Sequence, residues 1–303
     1  MKRCIFVLAG LLLPCMSFAG TESASPIAPD AKLQKLADGF HFTEGPACDA
    51  DGNVYFTDQP NDRILIWSKD GKLSTFMKPC GRSNGLCFDA AGNLIACADE
   101  ENQLWSIDVK TKKHTVLVKD FNGKRLNGPN DVVVMPDGSM YFTDPLYPRE
   151  YWKDRGQESQ QDAHAVFYLS PDRKTLKRVL ADLKQPNGII ATVDGKTLYV
   201  SDLDNQQTWA YRTLPDGSLT DKKLFCKLGS DGMTIDDAGN VYLTGHGVTV
   251  FDSSGKKVAR IDIPGTDWTG NVCFAGKGSH TLFITSSKVI YSIQTATAGA
   301  VSQ

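Results

Sequence analysis

The chain has 303 residues, with 33 Lys+Arg against 35 Asp+Glu, a formal net charge of −2 and a pI near 6.2. That balance argues against a nucleic-acid binder, which would normally carry a basic patch or a high pI, and 41% hydrophobic residues exclude a disordered chain. Length alone suggests two domains, but all-β barrels and propellers of this size form one.

The N-terminus reads as a secretory signal over residues 1–19: basic Lys2 and Arg3, an apolar run over 5–13, and Ser17-Phe18-Ala19 with small residues where signal peptidase looks. The apolar run is too short to span a bilayer, which takes about 20 residues. Leu13-Pro14 before Cys15 disfavours a lipoprotein anchor, because small residues are wanted there. Signal removal leaves 31 basic and 35 acidic residues, a net charge of −4 and six of the eight Cys. The expectation is a periplasmic or secreted protein with no membrane partner. Residues 20–31, rich in Ser, Ala and Pro, read as a linker, and 32–303 as a single domain.

Within that domain one phrase recurs: an apolar run, a turn with Asp-Gly or Gly-Asn, then a β-rich run ending in Thr/Ser-Asp. It reads ACDADGNVYFTD from Ala47, CFDAAGNLIACAD from Cys87, VVMPDGSMYFTD from Val133, IATVDGKTLYVSD from Ile190, TIDDAGNVYLTG from Thr234 and CFAGKGSHTLFITS from Cys273. These are hairpins, with Gly supplying positive φ in the turn. The turn glycines Gly52, Gly92, Gly138, Gly195, Gly239 and Gly278 lie 40, 46, 57, 44 and 39 residues apart. Hairpins at such a period indicate a six-bladed β-propeller, all-β, with four strands per blade. Third strands are visible after the first five hairpins, from 63–67 to 248–251. The sixth unit lacks a clear fourth strand, and residues 32–37 can supply it from the N-terminus, which closes the ring and pairs its open edges.

Eight residues before the turn glycines stand Glu44, Asn84, Asn130, Asn187 and Asp231, and Asn271 lies seven before Gly278. The start of every innermost strand thus carries a carboxylate or an amide. In a propeller these positions ring the central channel at one end. An oxygen-only set with two carboxylates suits a hard cation, Ca²⁺ first, then Mg²⁺ or Mn²⁺. The competing reading is that Asn and Asp only form turns before strands. It explains Glu44 least, because Thr-Glu-Gly-Pro is a poor strand entry for a carboxylate with nothing to bind.

Four motifs, Phe42-Thr43-Glu44-Gly45-Pro46, Arg125-Leu126-Asn127-Gly128-Pro129-Asn130-Asp131, Gln185-Pro186-Asn187-Gly188 and Ser230-Asp231-Gly232-Met233, resemble those of the senescence-marker-protein/gluconolactonase/luciferin-regenerating-enzyme family of six-bladed propellers. The resemblance implies one catalytic divalent metal, with Zn²⁺ among the alternatives to Ca²⁺. Glu44, Asn187 and Asp231 would be direct ligands, and Asn130 a fourth ligand or a substrate contact. It also implies hydrolysis of a small aldonolactone; some relatives are phosphotriesterases or act on other lactones. Mammalian-type members place an Arg for substrate hydroxyls where this chain has Gly128, which leaves the sugar specificity open. The expected chemistry is metal-assisted ester hydrolysis, with Asp231 as general base, or with the metal itself acidifying the water. A non-catalytic propeller with a structural metal is the reading from a different class.

The longest spacing adds about twelve residues between Asp144 and His164, including Tyr147, Tyr151 and Trp152 with Arg149, Lys153 and Arg155. It is expected to overhang the metal as a lid, with Tyr147, Trp152 and Asn84 as substrate contacts beside Asn130. Gly81-Arg82-Ser83-Asn84-Gly85 matches a G-x-S-x-G nucleophile elbow, but a β-run rather than a helix follows. Cys87 and Cys97 flank one hairpin and could pair, although buried free thiols are the larger expectation.

Overall fold

The computed structural model describes Met1 and residues 25–152, 156–276 and 278–300. The expected signal beyond Met1, residues 20–24 of the linker, and Lys153 and Arg155 of the insertion lie outside the described residues.

Six four-stranded antiparallel sheets account for nearly all the regular structure. Blade 1 comprises Thr43–Cys48, Val54–Asp58, Arg63–Trp67 and Leu73–Met77, from the axis outwards. Blades 2 to 5 repeat this order, their inner strands being Ser83–Phe88, Val132–Val134, Pro186–Ala191 and Met233–Ile235. Blade 6 is closed as the sequence suggests: Gln34–Asp38 pairs with Val289–Gln294, outside Thr281–Ser286 and Asn271–Phe274. The closing strand joins the N-terminal segment to the last blade in one sheet and gives that blade its fourth, outermost strand. Part of the segment read as a linker also joins it, since Ile27 bridges Thr295 and packs beside Tyr291 and Ile293.

The core is not central. Apolar residues pack between neighbouring blades, and the period-2 alternation of each second strand explains why. Tyr55 faces Phe76 and Phe88 towards blade 2, while the next residue, Phe56, faces Phe40 and Phe283 towards blade 6. Both faces of each blade are therefore apolar, and the runs read as continuously hydrophobic. All polar pressure is left to the two ends of the channel.

At one end lie the hairpin turns. Asp49, Asp89 and Asp236 each accept the backbone N–H of a following Asn through Oδ1 and its amide N–H through Oδ2. The C-terminal residues 295–300 cross this end: Thr297 Oγ1 donates to Asp236 Oδ2 (2.6 Å), and Asp237 N donates to the Ala298 carbonyl (2.8 Å). At the other end lie the residues singled out by the repeat.

Candidate active site

The Asp that closes the recurring phrase fixes the geometry of the opposite end. Asp58 Oδ1 accepts the N–H groups of His41 and Phe42 (3.0 and 3.2 Å). Asp144 accepts those of Asn127 and Gly128 (2.9 and 2.8 Å), and Asp202 those of Lys184 and Gln185 (both 3.0 Å). In each blade these donors lie three and two residues before Glu44, Asn130 or Asn187. The clamp thus sets the entry of the inner strand, and a bulge follows at once in blades 1, 2 and 4, between Glu44 and Ala47, Ser83 and Leu86, and Pro186 and Ile189. A bulge re-aims a side chain away from the pleat, here towards the axis.

Glycine follows four of the ring residues for a tertiary reason rather than a turn. A Cβ at Gly45 would lie 2.1 Å from the Asn84 carbonyl oxygen, and one at Gly232 would lie 1.9 Å from the Asn271 side chain. Each blade's entry is pressed against its neighbour's, and only a residue without a side chain fits. After Asn130 the pattern breaks: Asp131 stands there, buried, with Gly85 of blade 2 giving it room.

Glu44, Asn84, Asn130, Asn187 and Asn271 are all buried, and Asp231 is half-buried towards the mouth. Glu44, Asn187, Asp231 and Asn271 form one interacting group. Asn187 Nδ2 donates to Asp231 Oδ1 (2.8 Å) and to the Tyr147 hydroxyl (2.9 Å). Gly45 N donates to Glu44 Oε2 (2.9 Å). Asn84 and Asn130 are ring neighbours whose side-chain amides make no hydrogen bond among the described residues; their carbonyls accept from Thr57 Oγ1 (3.1 Å) and Gly85 N (2.7 Å).

The electrostatics are unbalanced. Burial, then the charges of Asp231 and Asp131, push Glu44 well above the usual carboxylate range; Gly45 N–H and Asn271 offset this only in part. Asp131 is pushed up to about 8, chiefly by burial, against hydrogen bonds from Val132 and Ile189. Burial also raises Asp231, opposed by hydrogen bonds from Trp268, Asn187 and Glu44 and by the charge of Arg149. Three carboxyl groups therefore gather at this end of the channel. Asn187 Oδ1 is enclosed and has no hydrogen-bond partner, an arrangement that costs free energy unless something else satisfies it. Among the described residues no three His, Cys, Asp or Glu stand close enough to hold a metal, so any cation here would rest on amide oxygens as well as carboxylates.

Two members of this site carry no repeat signal. Asp131 sits where four of the other five blades have Gly. Trp268 comes from the loop before the inner strand of blade 6, and its Nε1–H donates to Asp231 Oδ2 (2.5 Å). The motif quoted around Asn130 already contains Asp131, and its departure from the Asn-Gly pattern was the available signal; nothing in the sequence marked Trp268.

The insertion lies over blade 2 and reaches the site through Tyr147. Trp152 is almost fully enclosed beneath Gly128, with its indole N–H on the Asp99 carbonyl (3.2 Å), and it anchors the segment. Ser83 is buried with its Oγ on the Cys80 carbonyl (2.6 Å), in a strand and without a base. Cys87 pairs in register with Ile95 rather than with Cys97, and both thiols are free and buried. A cavity of about 580 Å³ lies off the axis between blades 1 and 2, beside the stacked Trp105 and His114, and gathers none of the groups above.

Six blades around a polar mouth of carboxylates and amides define a propeller with an axial site. Residues 42–288 match the family described as SMP-30/Gluconolactonase/LRE-like region, and the chain belongs to that family. A gluconolactonase of Zymomonas mobilis is 29% identical over 295 residues, covering 88% of this chain and 82% of that one. The solved structure of a gluconolactonase from Xanthomonas campestris is 31% identical with a TM-score of 0.81, covering 89% of this chain and 91% of that one. A calcium-binding regucalcin from Agrobacterium tumefaciens, at 18% identity, shares the fold with a TM-score of 0.73 over 88% of this chain and 95% of that one.

Proposed function

We propose that the chain is an exported, divalent-cation-dependent lactonase acting on a sugar lactone of the gluconolactone type. The single observation that carries this reading is the enclosed Oδ1 of Asn187, without a hydrogen-bond partner among the described residues, beside the buried carboxyl groups of Glu44 and Asp231. A cation held by Glu44, Asn187 and Asp231, with Asn130 as fourth donor, would satisfy that oxygen and neutralise the cluster. A set of only oxygen donors favours Ca²⁺, with Mg²⁺, Mn²⁺ or Zn²⁺ as alternatives. The two similar gluconolactonases support the substrate class.

When bound, such a cation supplies Lewis-acid polarisation of the lactone carbonyl. The protein's own groups do the rest. Trp268 holds Asp231 Oδ2, which fixes the carboxylate plane and leaves Oδ1 towards Asn187. From there Asp231 takes a proton from the attacking water as general base. The Tyr147 hydroxyl, kept protonated by its burial, closes the mouth over Asn187 and orients the ring. The buried amides of Asn84 and Asn130 offer hydrogen bonds to substrate oxygens.

The test is acid release from gluconolactone by chelator-treated protein, with Ca²⁺, Mg²⁺, Mn²⁺ or Zn²⁺ restored singly. Turnover that vanishes on chelation and returns with one cation is expected. Undiminished turnover in the stripped protein refutes the metal. A cation that raises the melting temperature with no lactone opened refutes the enzyme and leaves a metal-stabilised propeller.

A further inference from the structure

Blade 2 carries the closing Asp of the recurring phrase but departs from the clamp that blades 1, 3 and 4 share. Its Asp99 occupies the place of Asp58, Asp144 and Asp202, yet the N–H groups of Cys80 and Arg82 are held instead by Asp62 Oδ1 (2.9 and 2.8 Å). Asp99 faces the inserted segment. Its carboxylate accepts from Tyr151 and from Gln59 Nε2 (3.4 Å), and Arg149 Nε stands 3.4 Å from Oδ2. Arg82 lies 4.4 Å above the Tyr151 ring. The segment is thus pinned at Tyr151 and Trp152, four and five residues beyond the Tyr147 that reaches the site.

Between pin and site stands Arg149. Its guanidinium lies 5.4 Å from the Tyr147 ring centroid, and its charge favours ionised Asp231. Nε is enclosed without a hydrogen bond, and among the described residues the two terminal nitrogens have no hydrogen-bond partner either. A guanidinium with donors in a rigid fork is therefore set near the mouth, balanced in charge by Asp99 but without a hydrogen bond among the described residues. No side chain could bring such a group from position 128, where a Cβ would lie 2.7 Å from Asp99 Oδ1.

We propose that Arg149 is the specificity-determining residue, its fork donating to adjacent hydroxyls of a neutral polyhydroxylated lactone. The inference rests on the lactonase reading for what the ligand becomes, but not for the contact itself. The charge around Arg149 argues for hydroxyls over an anion: Asp99, 3.4 Å from Nε, already balances the guanidinium. A site built to donate to hydroxyls rejects the analogue lacking them, because its donors are then left unpaired.

The experiment compares kcat/KM for gluconolactone and for unsubstituted δ-valerolactone in the wild type, Arg149→Met, Arg149→Lys and Tyr151→Phe. Arg149→Met is expected to collapse the ratio of the two by on the order of 10- to 100-fold. Arg149→Lys, which keeps the charge without the fork, should recover only part of it. Tyr151→Phe, which loosens the pin without touching the guanidinium, should leave the ratio near that of the wild type. A ratio unmoved by Arg149→Met, or moved equally by Tyr151→Phe, overturns the proposal. Calorimetry with the non-hydrolysable gluconolactam separates the two readings. Binding lost in Arg149→Met upholds the contact even if neither lactone is opened, whereas no binding to the wild type overturns it.

Discussion

The two ends of the propeller are made from the same residues, and they behave as opposites. At the turn end, Asp236 accepts two backbone N–H groups, the Asn240 amide, the Tyr242 hydroxyl and the Thr297 hydroxyl, all from within its own blade or the C-terminal tail. At the mouth, Glu44 and Asp131 are pushed up by burial and by neighbouring carboxylates, and Asn187 leaves an enclosed oxygen without a partner. An Asp whose donors come from the next few residues is finished when the hairpin forms. An Asp whose neighbours are the first residues of other blades meets further carboxyl groups as well as donors, as Asp231 does beside Glu44. The first arrangement stabilises the fold. The second costs stability, a pattern typical of sites kept for binding or catalysis.

Conservative neutralisation at the mouth gives the strongest contrast. Asp231→Asn and Glu44→Gln keep shape and remove charge. Each is expected to lower lactone turnover by on the order of 10³-fold or more, as for removal of a residue needed both to hold a cation and to act on water. The metal-free melting temperature should stay level or rise, since burying mutually repelling carboxylates is unfavourable. A large fall in melting temperature with turnover retained would place these residues with the turn-end carboxylates. Trp268→Phe comes next. It keeps an aromatic ring but removes the N–H from Asp231 Oδ2, and a loss of a supporting hydrogen bond of this kind typically costs about 10- to 100-fold. The expected readout is lower kcat and a weaker cation requirement midpoint, with melting little changed.

How much of this was legible follows the same divide. The recurring phrase gave away the blades, because each hairpin carries its own turn chemistry, and the unpaired sixth blade pointed to closure by the residues near Gln34–Asp38. Glu44, Asn187 and Asp231 could be drawn together because the repeat puts them at equal distances from the turns. Asp131 breaks the Asn-Gly pattern, but its burial depends on the absence of a Cβ at Gly85 in another blade. Trp268 sits in an irregular loop, where no periodicity says which way a ring points. Trp152 illustrates the reverse. An aromatic residue in an insertion suggests a substrate contact, yet whether it faces the site or the scaffold depends on the cleft beneath Gly128, which exists only in three dimensions. Asn-Gly and Asp-Gly suggested turns, while the folded chain uses their glycines for close approach between blades.

At the turn end the expected effects move to stability. Asp236→Ala removes the acceptor for five donors, including Thr297 of the C-terminal tail, and should cost roughly 2–4 kcal/mol. For a chain of this length that is a fall in melting temperature of roughly 5 °C or more. Asp89→Ala, whose partners are Ala91 N, Asn93 N and Asn93 Nδ2, should cost about 1 kcal/mol. Both variants should keep kcat/KM within about twofold, because nothing at the turns touches the mouth and distant sites act additively. Loss of turnover in Asp236→Ala at temperatures well below its melting point would show the two ends to be coupled.

Between the ends lies the apolar belt, and its thiols measure how firmly the blades are packed together. Cys48, Cys80 and Cys87 are pushed up to about 12, first by burial, and Cys97 and Cys273 well above the ordinary thiol range for the same reason. With a pKa near 12 the thiolate fraction at pH 8 is on the order of 10⁻⁴, against some tens of per cent for a free cysteine. The native protein is therefore expected to leave these thiols unmodified by a disulfide reagent at pH 8 over minutes, and all six described cysteines should react once it is unfolded in denaturant. Cys87 and Cys97 are the informative pair. A shortfall of two thiols in unfolded, unreduced protein that disappears in Cys87→Ser would mean that they are joined, and would require the blade 2 hairpin to shift from the register in which Cys87 lies opposite Ile95. A full count confirms that blade 2 is held by packing between blades, as the other five are.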